Sequence, residues 1–286
     1  MGGGRVEIGV VCSVGIGEAR GGRSSNQDNY LVCRSGTIRW LGKDAEEVVD
    51  TVERPEVLLA VADGMGGHED GEIAAAAAVQ AMSRLYSRPL PATPETELAG
   101  FVHEAHTRVR ERVRQNGEVN MGSTLTVAWL IGNRVYWAHV GDSRLYHLRS
   151  DRITRISRDQ TREEFARRDR RPVPSHAGYL AQNFIFGSRG LGNDAALRID
   201  PGVDTGAFTL RAGDRLLLCS DGLHGRLGDE QIGDTLSHVP RPQACAAALC
   251  DRAMAHQSDD NITAIVVRVD VQSAEVDRDD DTIIPL

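Results

Sequence analysis

The stretch Ser123–Arg149 reads STLTVAWLIGNRVYWAHVGDSRLYHLR. Its apolar residues recur with a period of two, and Gly132-Asn133 and Gly141-Asp142 divide it into three β-rich runs. Short Gly-Asn and Gly-Asp connections suit antiparallel hairpins, whereas a parallel pair needs a crossover of about a dozen residues or more. The stretch is therefore a meander and not a βαβ unit.

The neighbouring segments build outward from it. Upstream, Ile73, Ala77, Ala81 and Leu85 fall four apart in an alanine-rich helix predicted over Glu72–Ser87. A second helix starts at Thr93-Pro94, with Pro at the first helical position and Leu98, Phe101, Val102, Ala105, Val109 and Val113 on one face. Nearer the N-terminus, Val6–Val14 and Tyr30–Arg39 read as strands, as does the apolar run Val57–Ala62. Downstream, Asp151–Asn193 is polar, arginine-rich and weakly periodic, so it reads as a surface excursion with one short helix near Thr161–Asp169. Strands return at Arg215–Cys219 and Ile262–Val269 and bracket helices over Asp229–His238 and Pro242–Ala255. Antiparallel strands followed in each half by two consecutive helices predict a layered α+β domain, its sheets packed together and covered by helix pairs. The tail after Val271, with Asp277, Asp279, Asp280 and Asp281, is too polar to pack and reads as disordered.

Composition narrows the function. The 286 residues suffice for one large sandwich-type domain, and no linker divides them. A net charge of −8, with arginines scattered among carboxylates, argues against nucleic acid as a partner, since phosphates demand clustered Lys and Arg. Five cysteines without a Cys-x-x-Cys pair suit buried thiols in a reducing compartment. Neither a signal-peptide pattern nor a run of about 20 apolar residues is present, so a cytoplasmic protein without membrane contact is expected.

Four acidic motifs share one layout. Asn26-Gln27-Asp28 enters a strand, Asp63-Gly64 and Asp221-Gly222 leave apolar strands, and Asp260-Asn261 precedes one. Each alone is an ordinary turn signal. Together they put several carboxylates at strand ends, where a rigid sheet can hold them around a shared centre. Oxygen-only ligation, without a Cys or His cluster, selects hard divalent cations over Zn²⁺.

These residues resemble the PPM-type, or PP2C-like, protein phosphatases of bacteria. The matching stretches are Arg23–Asp28, Val61–His68, Met121–Thr124, His139–Arg144, Cys219–Leu223 and Asp259–Thr263, in family order over about residues 8 to 270. The resemblance implies a four-layer α-β-β-α sandwich over residues 1–271 with a flap at about 151–193, the tail 272–286 lying outside it. It further implies two core Mn²⁺ or Mg²⁺ ions: Asp63 bridging both, Gly64 offering its carbonyl to one, Asp221 and Asp260 completing the other, and Asp28 holding bound water. Asp142, with Asp221, matches the position of a weaker third ion, and Arg23 that of the arginine gripping the substrate phosphate. The implied activity is hydrolysis of phosphoserine and phosphothreonine by a metal-bridging hydroxide, which two dications about 3.5–4 Å apart can generate near neutral pH. Phosphorylated proteins, among them a cognate Ser/Thr kinase or its targets, are the implied partners of a monomeric enzyme.

The chain also departs from the family pattern. Gln27 stands where many members have Glu, which exchanges an anionic contact for an amide. Met65 stands where eukaryotic relatives have a His proposed to protonate the leaving alkoxide, so bound water is the expected donor, and His68 reads as a loop residue. His139 reads as a packed strand residue and Arg167–Arg171 as a solvated surface. Asp159-Gln160-Thr161 and Ser188–Gly192 are divergent versions of family stretches in the flap. The competing function is a catalytically inactive module that binds phosphoproteins in the same cleft; retention of Asp28, Asp63, Asp221 and Asp260 opposes it.

Overall fold

The computed structural model describes residues 5–41, 47–48, 56–65, 70–115, 121–170, 185–186 and 203–270. In chain order they form β1 (Arg5–Ser13), β2 (Asp28–Arg34), β3 (Thr37–Trp40), β4 (Glu47–Val48), β5 (Val57–Met65), α1 (Asp70–Tyr86), α2 (Pro94–Gln115), β6 (Gly122–Ser123), β7 (Leu125–Ile131), β8 (Arg134–Val140) and β9 (Arg144–Arg149). There follow β10 (Arg152–Arg155), α3 (Arg162–Arg168), β11 (Ile185–Phe186), β12 (Asp204–Thr209), β13 (Arg215–Cys219), α4 (Asp221–His224), α5 (Asp229–His238), α6 (Pro242–Ala255) and β14 (Ile262–Asp270). One sheet has the order β1-β14-β13-β9-β10; the other runs β12-β8-β7-β5-β2-β3-β4, with β6 and β11 paired at its side. All pairs are antiparallel.

Three apolar layers hold this stack together, which makes it four-layered as expected. Leu59, Val61, Leu218, Ile265 and Val267 are among the fully buried side chains between the two sheets. Each such side chain contributes about 1.5–3 kcal/mol relative to exposure. Ala74, Ala78, Ala81, Met82 and Leu85 of α1 pack with Leu98, Val102 and Ala105 of α2 on the larger sheet. Small alanines let α1 lie close, and Glu95 and Glu97 in the first turn of α2 and Arg112 and Arg114 in its last complement the helix dipole. Ile232, Leu236, Leu249 and Ala253 of α5 and α6 cover the smaller sheet. None of the described helices is long and apolar enough to cross a membrane.

Three expectations change. Tyr30–Arg39 is not one strand but the hairpin β2-β3, turned by Ser35 and Gly36 at φ 51° and 78°. Positive φ at both central residues is the type I′ pattern. The meander is only two strands deep: β7 and β8 pair, but β9 leaves for the other sheet, beside β13. Gly141-Asp142 is thus a crossing between sheets and not a hairpin turn. Leu145 faces the inter-sheet core while Tyr146 and Leu148 face α5 and α6, so β9 is buried on both sides and its periodicity carried no sheet assignment. Finally, the polar excursion contributes β10 and β11 as well as α3, and β12 forms from a segment with no assignment, closing the larger sheet against β8. The rest of the flap, including Ser188–Gly192, lies outside the described residues, as do His68 and the acidic tail.

Candidate active site

Antiparallel pairing of β2 with β5 sets Asp28 directly opposite Asp63. In the other sheet, Cys219 pairs with Ala264, which brings Asp221, at the start of α4, and Asp260, just before β14, to the same end of the sandwich. Two hydroxyls tie the sheets together there. Ser220 Oγ and Thr263 Oγ1 each donate to Asp28 Oδ2 at 2.7 Å. Asp63 is fixed through its backbone: its N–H donates to Thr124 Oγ1 and its carbonyl accepts from Thr124 N–H, both at 2.9 Å.

Asp63-Gly64 does not leave its strand, because β5 continues to Met65. Glycine is required at 64 for a different reason: a Cβ there would stand 2.1 Å from the Gly71 carbonyl oxygen and 2.5 Å from that of Gln27. At Gly222 a Cβ would come within 2.0 Å of the Asn261 carbonyl oxygen. Both Asp-Gly pairs therefore mark close backbone approaches beside an acid, not turns.

Asp142 arrives from the sheet crossing. His224 of α4 lies with Nε2 2.9 Å from the Asp142 carbonyl, linking the crossing to the helix that begins at Asp221. Gln160 clamps the same backbone: its N–H donates to the Gly141 carbonyl at 2.7 Å and its Oε1 accepts from Gly141 N–H at 2.8 Å. Arg144 does not pair with Asp142; its fork closes on Asp159 at 2.9 and 2.6 Å. The divergent Asp159-Gln160 is thus the brace of the crossing. His139 is fully buried and bonded to Thr126, as expected of a packed residue.

Arg23 comes in at the rim, where Nε and Nη2 each donate to a different Asp260 oxygen at 2.8 Å. The fork expected to face a substrate phosphate is closed on a predicted metal ligand. The pair is half-exposed, and its hydrogen bonds push the Arg23 pKa further up.

All seven predicted residues are brought together, and the carboxylates feel one another. Burial is the largest cause in each case, with like charge adding to it. Asp28 is pushed up to about 7 despite its two hydroxyl donors, Asp221 to about 6, and Asp142 to about 8 with Asp221 as its strongest charged neighbour. Asp63 is raised well above the carboxylate range, with Asp28, Asp221, Asp142 and Asp260 all acting on it. Asp63 and Asp221 lie close enough for each to act on the other's ionisation. Among the described residues, no three acidic, imidazole or thiol groups form a ready-made ligand cage. The fit to divalent cations rests on donor chemistry: hard oxygens from separate strand ends, buried and crowded, whose charge a dication compensates.

Residues 43–257, which include most of this sandwich and the gathered aspartates Asp63, Asp142 and Asp221, match the family model described as Protein phosphatase 2C. The chain belongs to the protein phosphatase 2C family. It is 32% identical over 221 residues to the serine/threonine protein phosphatase PstP of Mycobacterium tuberculosis, an alignment covering 77% of this chain and 42% of PstP. The chain thus spans less than half the length of that relative. Serine/threonine phosphatase stp of Listeria innocua is 26% identical over 238 residues, 81% of this chain and 92% of its own length. Among solved structures, the catalytic domain of PstP in complex with two manganese ions matches with a TM-score of 0.71 at 27% identity, covering 93% of this chain and 98% of that one.

The residues that position the acids were not assigned roles from sequence. Ser220, Thr263, Thr124 and His224 all sit within three residues of a motif aspartate or asparagine, or of the Gly-Ser-Thr stretch, and a hydroxyl or imidazole at such a spacing is the signal that was available.

Proposed function

We propose that this chain removes phosphate from phosphoserine and phosphothreonine side chains of proteins, with Mn²⁺ or Mg²⁺ held by Asp63, Asp221, Asp260 and the Gly64 carbonyl, and that residues 1–271 form the phosphatase domain. The supporting observation is the convergence of four carboxylates, Asp28 buried and Asp63, Asp142 and Asp221 half-buried, whose ionisation is disfavoured as they stand. Such crowding costs stability unless a cation answers it. Bound there, divalent cations supply Lewis acidity and charge neutralisation toward a phosphate monoester.

The chain's own groups divide the remaining work. Asp28, fixed through Oδ2, is the carboxylate placed to hold and orient a water. Arg23, anchored at the rim, presents a planar fork that suits two phosphate oxygens as well as the two of Asp260, so it can exchange the carboxylate for the substrate. Asp142, braced by Gln160 and His224 beside Asp221, is the proposed ligand of a third, weaker ion. Met65 offers no proton, which leaves protonation of the leaving oxygen to water. Five free thiols, four of them buried, fit a reducing cytoplasm. Phosphorylated proteins, including a cognate Ser/Thr kinase or its targets, are the proposed substrates of a monomer.

Hydrolysis of p-nitrophenyl phosphate and of a phosphothreonine peptide by EDTA-treated protein, before and after adding Mn²⁺, tests this. Turnover should appear only with the cation. Full activity in metal-free protein would refute the site, and peptide binding without turnover at any Mn²⁺ concentration would establish the inactive binding module instead.

A further inference from the structure

Four of the five thiols are buried; the fifth, Cys12, is partly exposed and lies beside Asp28, and none of the roles assigned above uses it. Pairing of β1 with β14 sets Cys12 directly opposite Thr263, and residues so placed share one face of the sheet. Thr263 Oγ1 lies 2.7 Å from Asp28 Oδ2 and 3.1 Å from Cys12 Sγ. Asn26 Nδ2 is 3.1 Å from the same sulfur, while Asn26 Oδ1 accepts from Asp28 N–H at 3.1 Å.

The supply of hydrogens fixes the direction of every link, because a hydroxyl and a thiol carry one each. Thr263 gives its hydrogen to the carboxylate, which is both the nearer and the stronger acceptor. The hydrogen in the contact between Thr263 and Cys12 therefore belongs to sulfur. A second acceptor for the thiol, the Asp28 carbonyl, is further off at 3.9 Å. Asn26 has Oδ1 committed to the Asp28 amide, so its Nδ2–H turns to the sulfur. Ser220 obeys the same count: its hydroxyl donates to Asp28 Oδ2 and accepts from Thr263 N–H at 2.9 Å. Burial, with the Asp28 charge adding to it, pushes the thiol up to about 12, so it keeps its hydrogen.

The four links run head to tail, from Asp28 N–H to Asn26, from Asn26 to Cys12, from Cys12 to Thr263, and from Thr263 back to the Asp28 carboxylate. Bonds in such a series polarise one another. Asp28 and Thr263 are buried, so water does not make good a link that is lost there.

We propose that Cys12 is a positioning residue for Asp28: its S–H leaves the Thr263 hydrogen to the carboxylate, and its sulfur holds the Asn26 amide on which the Asp28 backbone rests. The ring stands on the geometry alone, while its effect on turnover rests on the phosphatase reading.

The S–H stretching band in the infrared reports the thiol's hydrogen directly, and the difference between the unaltered protein and Cys12→Ser isolates the band of Cys12. The same difference taken in Thr263→Val, which removes the acceptor, should show that band at higher frequency. A band that does not move overturns the ring. With p-nitrophenyl phosphate and saturating Mn²⁺, Cys12→Ala should lower kcat about tenfold with KM little changed, the size usual for a partner one bond behind an active-site ligand. Cys12→Ser, close to alanine in volume but still a donor and an acceptor, should restore most of it. Equal losses in the two variants would make Cys12 a packing residue and overturn the proposal, as would an undiminished kcat in Cys12→Ala. Absence of turnover in the unaltered protein at any Mn²⁺ concentration counts against the phosphatase reading instead, and the infrared band still upholds or overturns the ring.

Discussion

Removing divalent cations should make the protein less stable as pH rises from about 6.5 to about 8.5, opposite to the usual behaviour of paired carboxylates. Asp28 and Asp142, with an ordinary value of 3.8, are raised to about 7 and about 8, mainly by burial. A carboxyl whose pKa is higher in the folded state holds its proton more tightly there. Its contribution is full below the unfolded value and is lost as pH climbs through the folded one. Across this window the loss is about 1 kcal/mol for Asp28 and about 2 kcal/mol for Asp142. Two imidazoles oppose it: His139 and His224 are held below their usual 6.5, chiefly by burial, and because the unfolded imidazole is still half protonated at pH 6.5 each returns about 0.4 kcal/mol across the window, whereas the thiols, raised by burial, act in the same direction as the acids near its upper end. At about 2–4 °C per kcal/mol for a domain of this size, melting should fall by roughly 5–10 °C. Saturating Mn²⁺ should flatten the slope, because the cation favours the ionised carboxylates, and should add about 3 kcal/mol at a hundredfold excess over its dissociation constant. Melting of EDTA-treated protein by circular dichroism at three pH values, with and without Mn²⁺, measures this. A metal-free melting temperature that stays level or rises across the window would refute the argument that these acids are buried together without compensation.

Other variants probe the frame around the acids. Ser220→Ala and Thr263→Val each remove a donor to Asp28 Oδ2 and should each cost about 1.5–3 kcal/mol at a pH where Asp28 is ionised, read from urea midpoints; unchanged midpoints would show the hydroxyls to be incidental. Gly64→Ala forces a methyl to 2.1 Å from the Gly71 carbonyl and should cost about 1–3 kcal/mol together with most turnover, whereas a fully active, equally stable variant would place the two backbones further apart than described here. Asp63→Asn and Asp221→Asn should nearly abolish turnover at saturating Mn²⁺ while Arg23→Ala mainly raises KM; near-normal kcat in Asp63→Asn would remove it from the proposed ligands.

Much of this protein was legible in its residues. Helices α5 and α6 and strand β13 fall where periodicity predicts them, because an apolar stripe of period 3.6 or an unbroken apolar run has one good way to be buried. The aspartates were legible too, since acid-glycine and acid-asparagine pairs at strand ends are short-range patterns. The tertiary structure decided what depends on residues far apart in sequence. Strand β9 joined the other sheet, where both its faces are buried, and only the competition between two sheets and two helix layers settles which neighbours such a strand takes. Gln160 became the brace of Gly141, and Arg144 chose Asp159 over Asp142, through contacts that local pattern does not encode. Most of all, the pKa values of the acids were set by assembly: an aspartate beside a glycine is an ordinary turn residue until a second sheet, carrying Ser220, Asp221, Asp260 and Thr263, closes over it and replaces water with other carboxylates.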